Sequence, residues 1–422
     1  MTLTALLKKP NEEYGYFLEM PRAMRVLLIT NMIYAFALPV IDIFVGAYIM
    51  RSSNDPKIVA IYQLTVYTGI PLTFLLNGYL LRFIKISNLY SFGMLLSGIS
   101  MMLMMSMQSL SAVGVGVAGI LMGCSFGFFW ANRDLLTLNN TNDLTRNYYY
   151  GLETFFYSIT YIIVPLAVGW FLSHTESRGW FSGNISTAYQ LVMVAVFLLT
   201  ILSSLVIHKE KFVNPVQKEF IFLKFHVLWR KMLVLAGLKG MAQGYLVTAP
   251  AILIMRLVGN EGSVGLVQGV SGIATAIILY LLGRTTKPAD RIYIFATGIL
   301  IFLIGTVANG ILYSAIGVMT FVLCKVLFTP LHDIAYFPTQ MRVIDIVSKI
   351  EKRNEFAYIF NHEFGLYLGR FFGLGLFIYL DAYLSEVFAL KYALIIIAVI
   401  QIASIPMARH IIAQCDKLSK PS

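Results

Sequence analysis

The chain has 422 residues, of which 58% are apolar and only 13% are charged. Soluble domains average about 45–50% apolar and about 25% charged residues, so the composition excludes a chain of ordinary soluble domains and indicates several membrane spans. The net charge of +11 would suggest a nucleic-acid partner in a soluble protein, but basic cytoplasmic loops of a membrane protein explain it better.

Residues 1–24 are predicted to form a cytoplasmic segment, because they lack the short apolar core and cleavage site of a signal peptide. After them come stretches long enough to cross a bilayer, which takes about 20 mostly apolar residues in a helix. The sequence predicts an all-α integral membrane protein of twelve transmembrane helices, in two pseudo-symmetric six-helix bundles around a central cavity. The predicted spans are 25–50, 57–81, 88–107, 111–135, 148–173 and 187–208 in the bundle 25–208, and 232–256, 262–283, 291–312, 314–338, 356–380 and 386–408 in the bundle 232–408.

A cytoplasmic linker, residues 209–231, joins the two bundles. Its apolar residues, such as Phe220 and Phe225, alternate roughly with basic ones, such as Lys218 and Lys224. This pattern predicts an amphipathic helix that lies on the inner leaflet and tethers the halves. Residues 409–422 are expected to form a cytoplasmic tail.

The basic residues predict the orientation. If both termini are cytoplasmic, the segments on that side hold most of the 32 Lys and Arg, and the opposite side holds only Arg51, Lys57, Arg178 and Arg256. Because loops rich in Lys and Arg remain in the cytoplasm, we expect a multi-pass protein of a bacterial inner membrane with both termini inside.

The first half of the chain is echoed in the second at one constant interval without gaps. The echoed positions are Ile49-Met50-Arg51 and Ile254-Met255-Arg256, Gln63 and Gln268, Gly78 and Gly283, and Arg82 and Lys287. A duplicated set of spans is typical of transporters, whose two halves move about a site between them.

Twelve spans in two repeats, cytoplasmic termini and a basic middle segment together resemble the major facilitator superfamily of secondary transporters. The resemblance covers essentially the whole chain, but the signature motifs are degenerate. The segment from Gly78 to Lys85 keeps the family's glycine and basic residues and lacks its aspartate. Span five has Val164-Pro165 where drug antiporters of the family carry Gly-Pro. The chain is therefore similar to a divergent branch.

The resemblance implies how the helices are arranged. Spans one, four, seven and ten would line the central cavity, and spans two, five, eight and eleven would lie at the interface between the halves. It also implies secondary active transport by alternating access.

Three cations and two amides within the spans are candidates for substrate binding. An ionisable group at the centre of a membrane helix costs about 2.5–3.5 kcal/mol, so each calls for a reason. Lys239, Lys325 and Arg370 would give the second half a cationic lining suited to an anionic substrate group. Neutralisation by the protein's own carboxylates is the alternative. Asn31, low on span one, and Gln243, low on span seven, are the polar candidates.

Four residues are candidates for proton coupling: Glu363, His362, Asp42 and Glu153. An imidazole titrates near neutral pH, so His362 beside Glu363 is a plausible proton site. Asp42 follows a proline that is expected to loosen the backbone, and a plain interhelical hydrogen bond is the alternative role for it.

Glu363 and Arg370 share one helical face. They are two turns, about 10 Å, apart along the helix axis, which predicts that they do not hydrogen-bond directly and that a substrate or another helix fills the gap. A structural ion network is the alternative.

The candidates for gating are Arg133, Asp134, Asp333 and Arg146, near the cytoplasmic ends of their helices. Glu153 is expected to pair with Arg133 or Arg146. A salt-bridge latch that opens and closes between states fits these positions better than substrate contact does.

The favoured function is a secondary active transporter that moves a small organic solute, anionic or amphipathic, with protons as the coupling ion. No glycine-rich phosphate loop ending in Lys-Ser or Lys-Thr is present, so ATP coupling is not indicated. A lipid, amphiphile or drug exporter is the alternative. A membrane-embedded enzyme is more remote, because the candidate pair His332-Asp333 lacks the clustered His or Cys that a metal or acyl-transfer site would need.

The expected partners are a small-molecule substrate, protons and the lipid bilayer. We expect no enzyme activity, no cofactor, no metal and no nucleic acid, and a monomeric protein.

Overall fold

The computed structural model describes residues 15, 17–107, 109–141, 143–214, 222, 224–285, 290–353 and 355–418. Within these ranges, twelve helices are long and apolar enough to cross a membrane, which confirms the expected number of spans. The first six are α1 (Arg22–Ser53), α2 (Pro56–Leu80), α3 (Ile86–Ser106), α4 (Ala112–Asn140), α5 (Asp143–Arg178) and α6 (Ile185–Ile207). The second six are α7 (Val227–Leu257), α8 (Glu261–Thr285), α9 (Arg291–Leu312), α10 (Ala315–Glu351), α11 (Glu355–Tyr383) and α12 (Glu386–Leu418, with a turn after Gln401).

Short polar side chains fix where several helices begin. Asp55 accepts a hydrogen bond from the Lys57 amide at 2.9 Å, and Pro56 follows it in the first helical position of α2. Ser111 and Ser314 cap α4 and α10 in the same way. Each cap satisfies a backbone N–H that has no partner within its helix.

Helix α1 is interrupted where the sequence has its proline. The regular α-helix ends at Ala35, and a π-helical turn, Val40–Phe44, follows Pro39. Because proline has no backbone N–H to donate, the regular hydrogen-bond ladder is broken there. Asp42 lies in this turn with its side chain exposed to the central cavity.

Some helices extend beyond the predicted spans. Helix α10 has 37 residues, or about 55 Å of helix at 1.5 Å per residue, whereas the predicted span ended at residue 338. Hydropathy marks only the part of a helix that is apolar, so it misses a polar extension beyond the roughly 30 Å hydrocarbon layer.

The linker differs from expectation. Of its described residues, 209–214, 222 and 224–226 are not helical, and residues 227–231 already belong to the transmembrane helix α7. The amphipathic helix is therefore absent from the described part of the linker, and residues 215–221 and 223 lie outside the described ones. Trp229, expected in the linker, is buried in the bundle and donates to Asn361 at 2.9 Å.

The halves meet along two helix pairs, α5 with α8 and α2 with α11, which are the interface helices expected from the resemblance. Glycines permit the close approach of α5 and α8. A Cβ atom added at Gly265 of α8 would lie 2.9 Å from the Cα atom of Gly169 in α5. Small residues at a helix crossing let the backbones come together in this way.

Candidate functional site

Three adjoining cavities lie among the helices around the central axis. The Lys325 lobe, about 350 Å³, lies between α1, α5, α8 and α10. The Arg370 lobe, about 400 Å³, lies between α1, α2, α4, α7 and α11. The Lys239 lobe, about 200 Å³, lies between α7 and α10 and shares Lys325 with the first lobe and Val247 with the second. Both halves therefore contribute to one divided central cavity.

The Arg370 lobe has an ion cluster on α11. The Arg370 guanidinium donates to the Gln243 amide oxygen at 2.9 and 3.2 Å, lies 3.7 Å from the Glu363 carboxylate and sits 4.7 Å from the centre of the Tyr67 ring. The predicted gap between Glu363 and Arg370 is wrong, because the long arginine side chain reaches back along two turns and forms an ion pair. Asp42 and Asp134 line the same lobe.

Lys239 is neutralised within its own half. Its ammonium lies 2.7 Å from an Asp333 carboxylate oxygen and 3.9 Å from the centre of the Phe337 ring. A ring nitrogen of His332 lies 3.1 Å from the same oxygen of Asp333. In this conformation Asp333 is therefore part of a local ion pair between α7 and α10 and does not bridge the halves.

Lys325 differs from the other two cations. It lines both the Lys325 lobe and the Lys239 lobe. Among the described residues, its ammonium has no hydrogen bond, ion pair or ring contact, whereas Lys239 and Arg370 each have a carboxylate partner. The central cavity therefore contains a positive charge that the described protein does not balance by contact.

Asp42 connects two lobes through one side chain. The hydroxyl of Tyr161, which lines the Lys325 lobe, donates to the Asp42 carboxylate, which lines the Arg370 lobe. The hydrogen bond crosses from α5 to the π-helical turn of α1. Asp42 is thus in direct contact with a residue in the wall of the Lys325 lobe.

Asn31 belongs to a buried network and lines none of the three lobes. Its amide nitrogen donates to Glu153 at 2.5 Å and to the Tyr149 hydroxyl at 2.9 Å, while its amide oxygen accepts from Tyr90. Asn31 has no exposed surface and Glu153 is 1% exposed. The expected substrate contact of Asn31 is thus not found, because its hydrogen-bonding atoms are already used between helices.

The predicted gating residues Arg133 and Asp134 form an ion pair with each other. Arg133 pairs with Glu153 and, at 2.6 Å, with Asp134. All three belong to the first half, so these pairs do not latch one half to the other. The side chain of Arg146 lies outside the described ones.

His362 is a buried neighbour of the Arg370 lobe. One ring nitrogen lies 2.7 Å from the Tyr336 hydroxyl, and the other lies 3.9 Å from Glu363. His362 is 3% exposed. His362 therefore lies next to Glu363 and is not among the residues that line the three lobes.

A cluster around Arg51 joins the two halves at one end of the bundle, the end opposite the one at which α1 begins and α12 ends. We call these the closed end and the terminal end. Arg51, at the end of α1, pairs with Glu261 of α8 at 2.9 Å and with Glu176 of α5 at 2.7 Å. Glu261 is fully buried and accepts a further hydrogen bond from Tyr189 at 3.1 Å. The cluster thus ties the first half to the second.

Arg256 makes the matching connection from the second half. It donates to Asn54 at 2.8 Å and pairs with Glu386 at 2.9 Å. Sequence reasoning noted both arginines as repeat positions and missed their role. The signal was available, because Glu176, Glu261 and Glu386 flank the closed-end loops that hold the few basic residues of that side.

Comparison with known proteins finds distant relatives. No protein-family model matches the chain. The uncharacterized protein YqgE of Bacillus subtilis (strain 168) is 21% identical over 383 residues, which cover 90% of this chain and 87% of that protein. An uncharacterized protein in the sodM 3' region of Geobacillus stearothermophilus is 28% identical over 152 residues, 36% of this chain and 71% of that protein.

Solved structures match nearly the whole chain at low identity. The nucleoside transporter NupG aligns with a TM-score of 0.64 and 12% identity, covering 95% of this chain and 100% of that one. An inward-facing bacterial homologue of the iron transporter ferroportin gives 0.63 and 15%, covering 94% and 99%. An inward-facing, unoccupied bacterial homolog of the lysosomal transporter Spinster gives 0.60 and 14%, covering 98% of each chain. At such identity the likeness shows a common fold.

Proposed function

Since the chain has the fold of the major facilitator superfamily, we propose that it is a secondary active transporter that moves a small organic solute, anionic or amphipathic, by alternating access. The observation that carries the proposal is a cavity between two halves that are tied together towards one end. Between described residues, the hydrogen bonds and ion pairs that join the halves involve Arg51, Tyr189 and Arg256 at the closed end and Thr68 with Tyr367 at mid-depth.

The proposed cycle follows from this arrangement. Breaking the closed-end contacts and forming new contacts at the terminal end would expose the same cavity to the opposite side of the membrane. The predominance of basic residues in the loops of the terminal end supports a cytoplasmic location for that end. The conformation described here is then inward-facing, in an inner membrane, with both termini inside.

Protons are the proposed coupling ions, and Asp42 and Glu363 are the proposed sites. Both carboxylates line the Arg370 lobe, one from each half. Asp42 has only a tyrosine hydroxyl as its partner among the described side chains, so no cation in contact with it holds it ionised. Glu363 faces Arg370, and protonation would release that cation. Carboxylates within membrane bundles are frequent proton relays.

The proposal is tested by uptake into proteoliposomes. Solutes that raise the melting temperature of the purified protein are offered to the liposomes with and without an imposed proton gradient. We expect saturable accumulation that the gradient increases and that Asp42→Asn reduces. Uptake no greater than in protein-free liposomes, for every stabilising solute, would contradict the proposal.

A specific surface feature favours the second candidate, a lipid, amphiphile or drug exporter. An almost wholly apolar groove of about 470 Å³ lies between α7 and α11, with the exposed side chains of Val234, Leu368 and Phe372 at its rim. An acyl chain would fit such a groove. This candidate predicts transport that depends on acyl-chain length, whereas a solute held in the central cavity predicts no such dependence.

A further inference from the structure

Among the described residues, three of the four cations Lys239, Lys325, Arg370 and Lys391 have a carboxylate or an aromatic ring as a partner. Lys239 has Asp333 and Arg370 has Glu363, and Lys391 of α12 lies 4.9 Å from the centre of the Tyr313 ring. Lys325 has no such partner among the described residues. Because a lone ammonium in a low-dielectric site is unfavourable, a negative charge that enters the cavity would be attracted to it.

On the side that faces the Lys325 lobe, Lys325 is surrounded by uncharged residues, several of which have polar side chains. Of the residues that the structure describes, no acidic one lines the Lys325 lobe. The uncharged polar residues of its wall are Thr154, Tyr157, Ser158, Tyr161, Gln268, Ser271, Thr275 and Thr329. These hydroxyls and the amide can donate to or accept from the hydroxyls of a ligand. The lobe thus offers one positive charge together with several neutral polar groups.

We propose that the Lys325 lobe binds a small hydroxylated monoanion, with the Lys325 ammonium paired to its single carboxylate and the hydroxyl-bearing wall holding its hydroxyl groups. The inference rests on the proposed transport function and names the substrate class of that site. A volume of about 350 Å³ is at the lower end of the about 300–1,000 Å³ of ligand pockets, which suits a metabolite-sized acid.

The same arrangement disfavours other classes of substrate. A dianion would leave its second charge without a partner, since the nearby Lys239 is already held by Asp333. A cation would meet Lys325, and a neutral polyol would leave the ammonium unpaired. A long-chain amphiphile would place methylene groups against the hydroxyls of Ser158 and Ser271, which would then be buried without a hydrogen-bond partner from the ligand.

Calorimetric titration of the full-length protein in lipid nanodiscs tests the class. The probes are hydroxylated monocarboxylates of four to seven carbons, such as gluconate, each compared with its polyol and with its dicarboxylate, such as glucitol and glucarate. We expect at least one monocarboxylate to bind at least about tenfold more tightly than either relative, because a charge-assisted hydrogen bond differs from a lost one by about this factor or more. No binding by any monocarboxylate, or tighter binding of the polyol or diacid, would overturn the proposal.

Variants test whether the Lys325 ammonium is the charge that binds the ligand carboxylate. Lys325→Met is expected to lose the preference for the monocarboxylate over its polyol, and Lys325→Arg to keep it. Lys391→Met removes a lysine from another helix of the bundle and should bind like the unmodified protein. If Lys325→Met does not fold, Lys325→Gln takes its place, and the ligand series on the unmodified protein tests the proposal without any variant. A preference that survives in Lys325→Met or in Lys325→Gln would overturn the assignment.

The test separates this inference from the proposed function. A neutral or dianionic solute that binds and accumulates in liposomes contradicts the monoanion class and leaves transport intact. A monoanion that binds through Lys325 but is not carried contradicts transport and leaves the site intact.

Discussion

Arg51 and Arg256 occupy matching positions in the two halves, and each reaches across the interface to the other half. Arg51 contacts the buried Glu261 of the second half, and Arg256 contacts Asn54 of the first. The two contacts are not identical, because Pro56 stands in the first repeat where the second has Glu261. The duplicated arginines therefore join the halves at the same end as a pair in which Arg51 has the more buried partner.

Arg51→Ala is expected to open the closed end. Removing one member of a buried ion pair leaves the other charge uncompensated, at about 3–5 kcal/mol, and opening the end would let water reach Glu261. A cysteine placed at Ser271, in the wall of the Lys325 lobe, should then react at least about tenfold faster with a maleimide added from that side, which needs only about 1.4 kcal/mol of this energy.

Arg178→Ala provides the matched control for that measurement. Arg178 ends α5 on the same side of the bundle with an exposed side chain. Its removal should leave the labelling rate unchanged. Equal rates in the Arg51 and Arg178 variants would show that the cluster does not hold this end closed.

Gly265→Ala should prevent the close approach of α5 and α8. The added Cβ atom would lie 2.9 Å from the Gly169 Cα atom, and overpacking of this kind costs about 1–3 kcal/mol. The closed conformation should lose population, which spin-label distances across this end can detect. Gly375→Ala is the control, because a Cβ atom there meets nothing within 4 Å. Unchanged distances in Gly265→Ala would argue against a tight contact of these helices.

Asp42→Asn should remove pH dependence from the exchange between conformations. The amide keeps the side-chain size and its contact with Tyr161 but cannot take up or release a proton in the physiological range. The populations of the two conformations are compared between pH 5 and pH 8 for this variant, for Glu363→Gln and for the exposed control Glu355→Gln. If Asp42→Asn retains the full pH response while Glu363→Gln loses it, the coupling site is Glu363 alone.

Asn31→Ala should destabilise the first half without changing ligand preference. The substitution leaves Glu153 and Tyr90 each without one hydrogen bond in a buried site, which costs about 1–3 kcal/mol. The melting temperature should fall by several degrees, whereas Asn88→Ala, at an exposed helical position, should not lower it. If the variant has a normal melting temperature but binds solute more weakly, Asn31 contacts the substrate and its main role is not structural.

The number of spans, the two-fold repeat and the proline-induced break in α1 were all predictable. Each depends on local composition or on the missing N–H of Pro39, and both can be read directly from the sequence. The lengths of α4, α5 and α10 were not predictable from hydropathy, since these helices continue from their apolar parts into polar sequence.

Which candidate residues lie at the cavity was more predictable than how they pair with one another. Lys325, Arg370, Gln243 and Asp42 line the cavity as expected, because charged groups inside a bundle avoid lipid. Which cation keeps a free charge depends on side-chain reach, as in the pairing of Arg370 with Glu363, and on neighbours far apart in sequence. The connection from Tyr161 to Asp42 depends on helix packing that spacing alone does not reveal.

The most direct test of alternating access measures two distances in one molecule. In a variant without its three cysteines, spin labels at Ser52 and Ala382 report on the closed end, and labels at Phe83 and Ile350 report on the terminal end. All four positions are exposed.

We expect two populations of the spin-label distance at each end, and the distances at the two ends should change in opposite directions. When the distance at the closed end lengthens, on solute addition or in Arg51→Ala, the distance at the terminal end should shorten. A single unvarying distance at both ends under every condition, or two ends that widen together, would contradict alternating access.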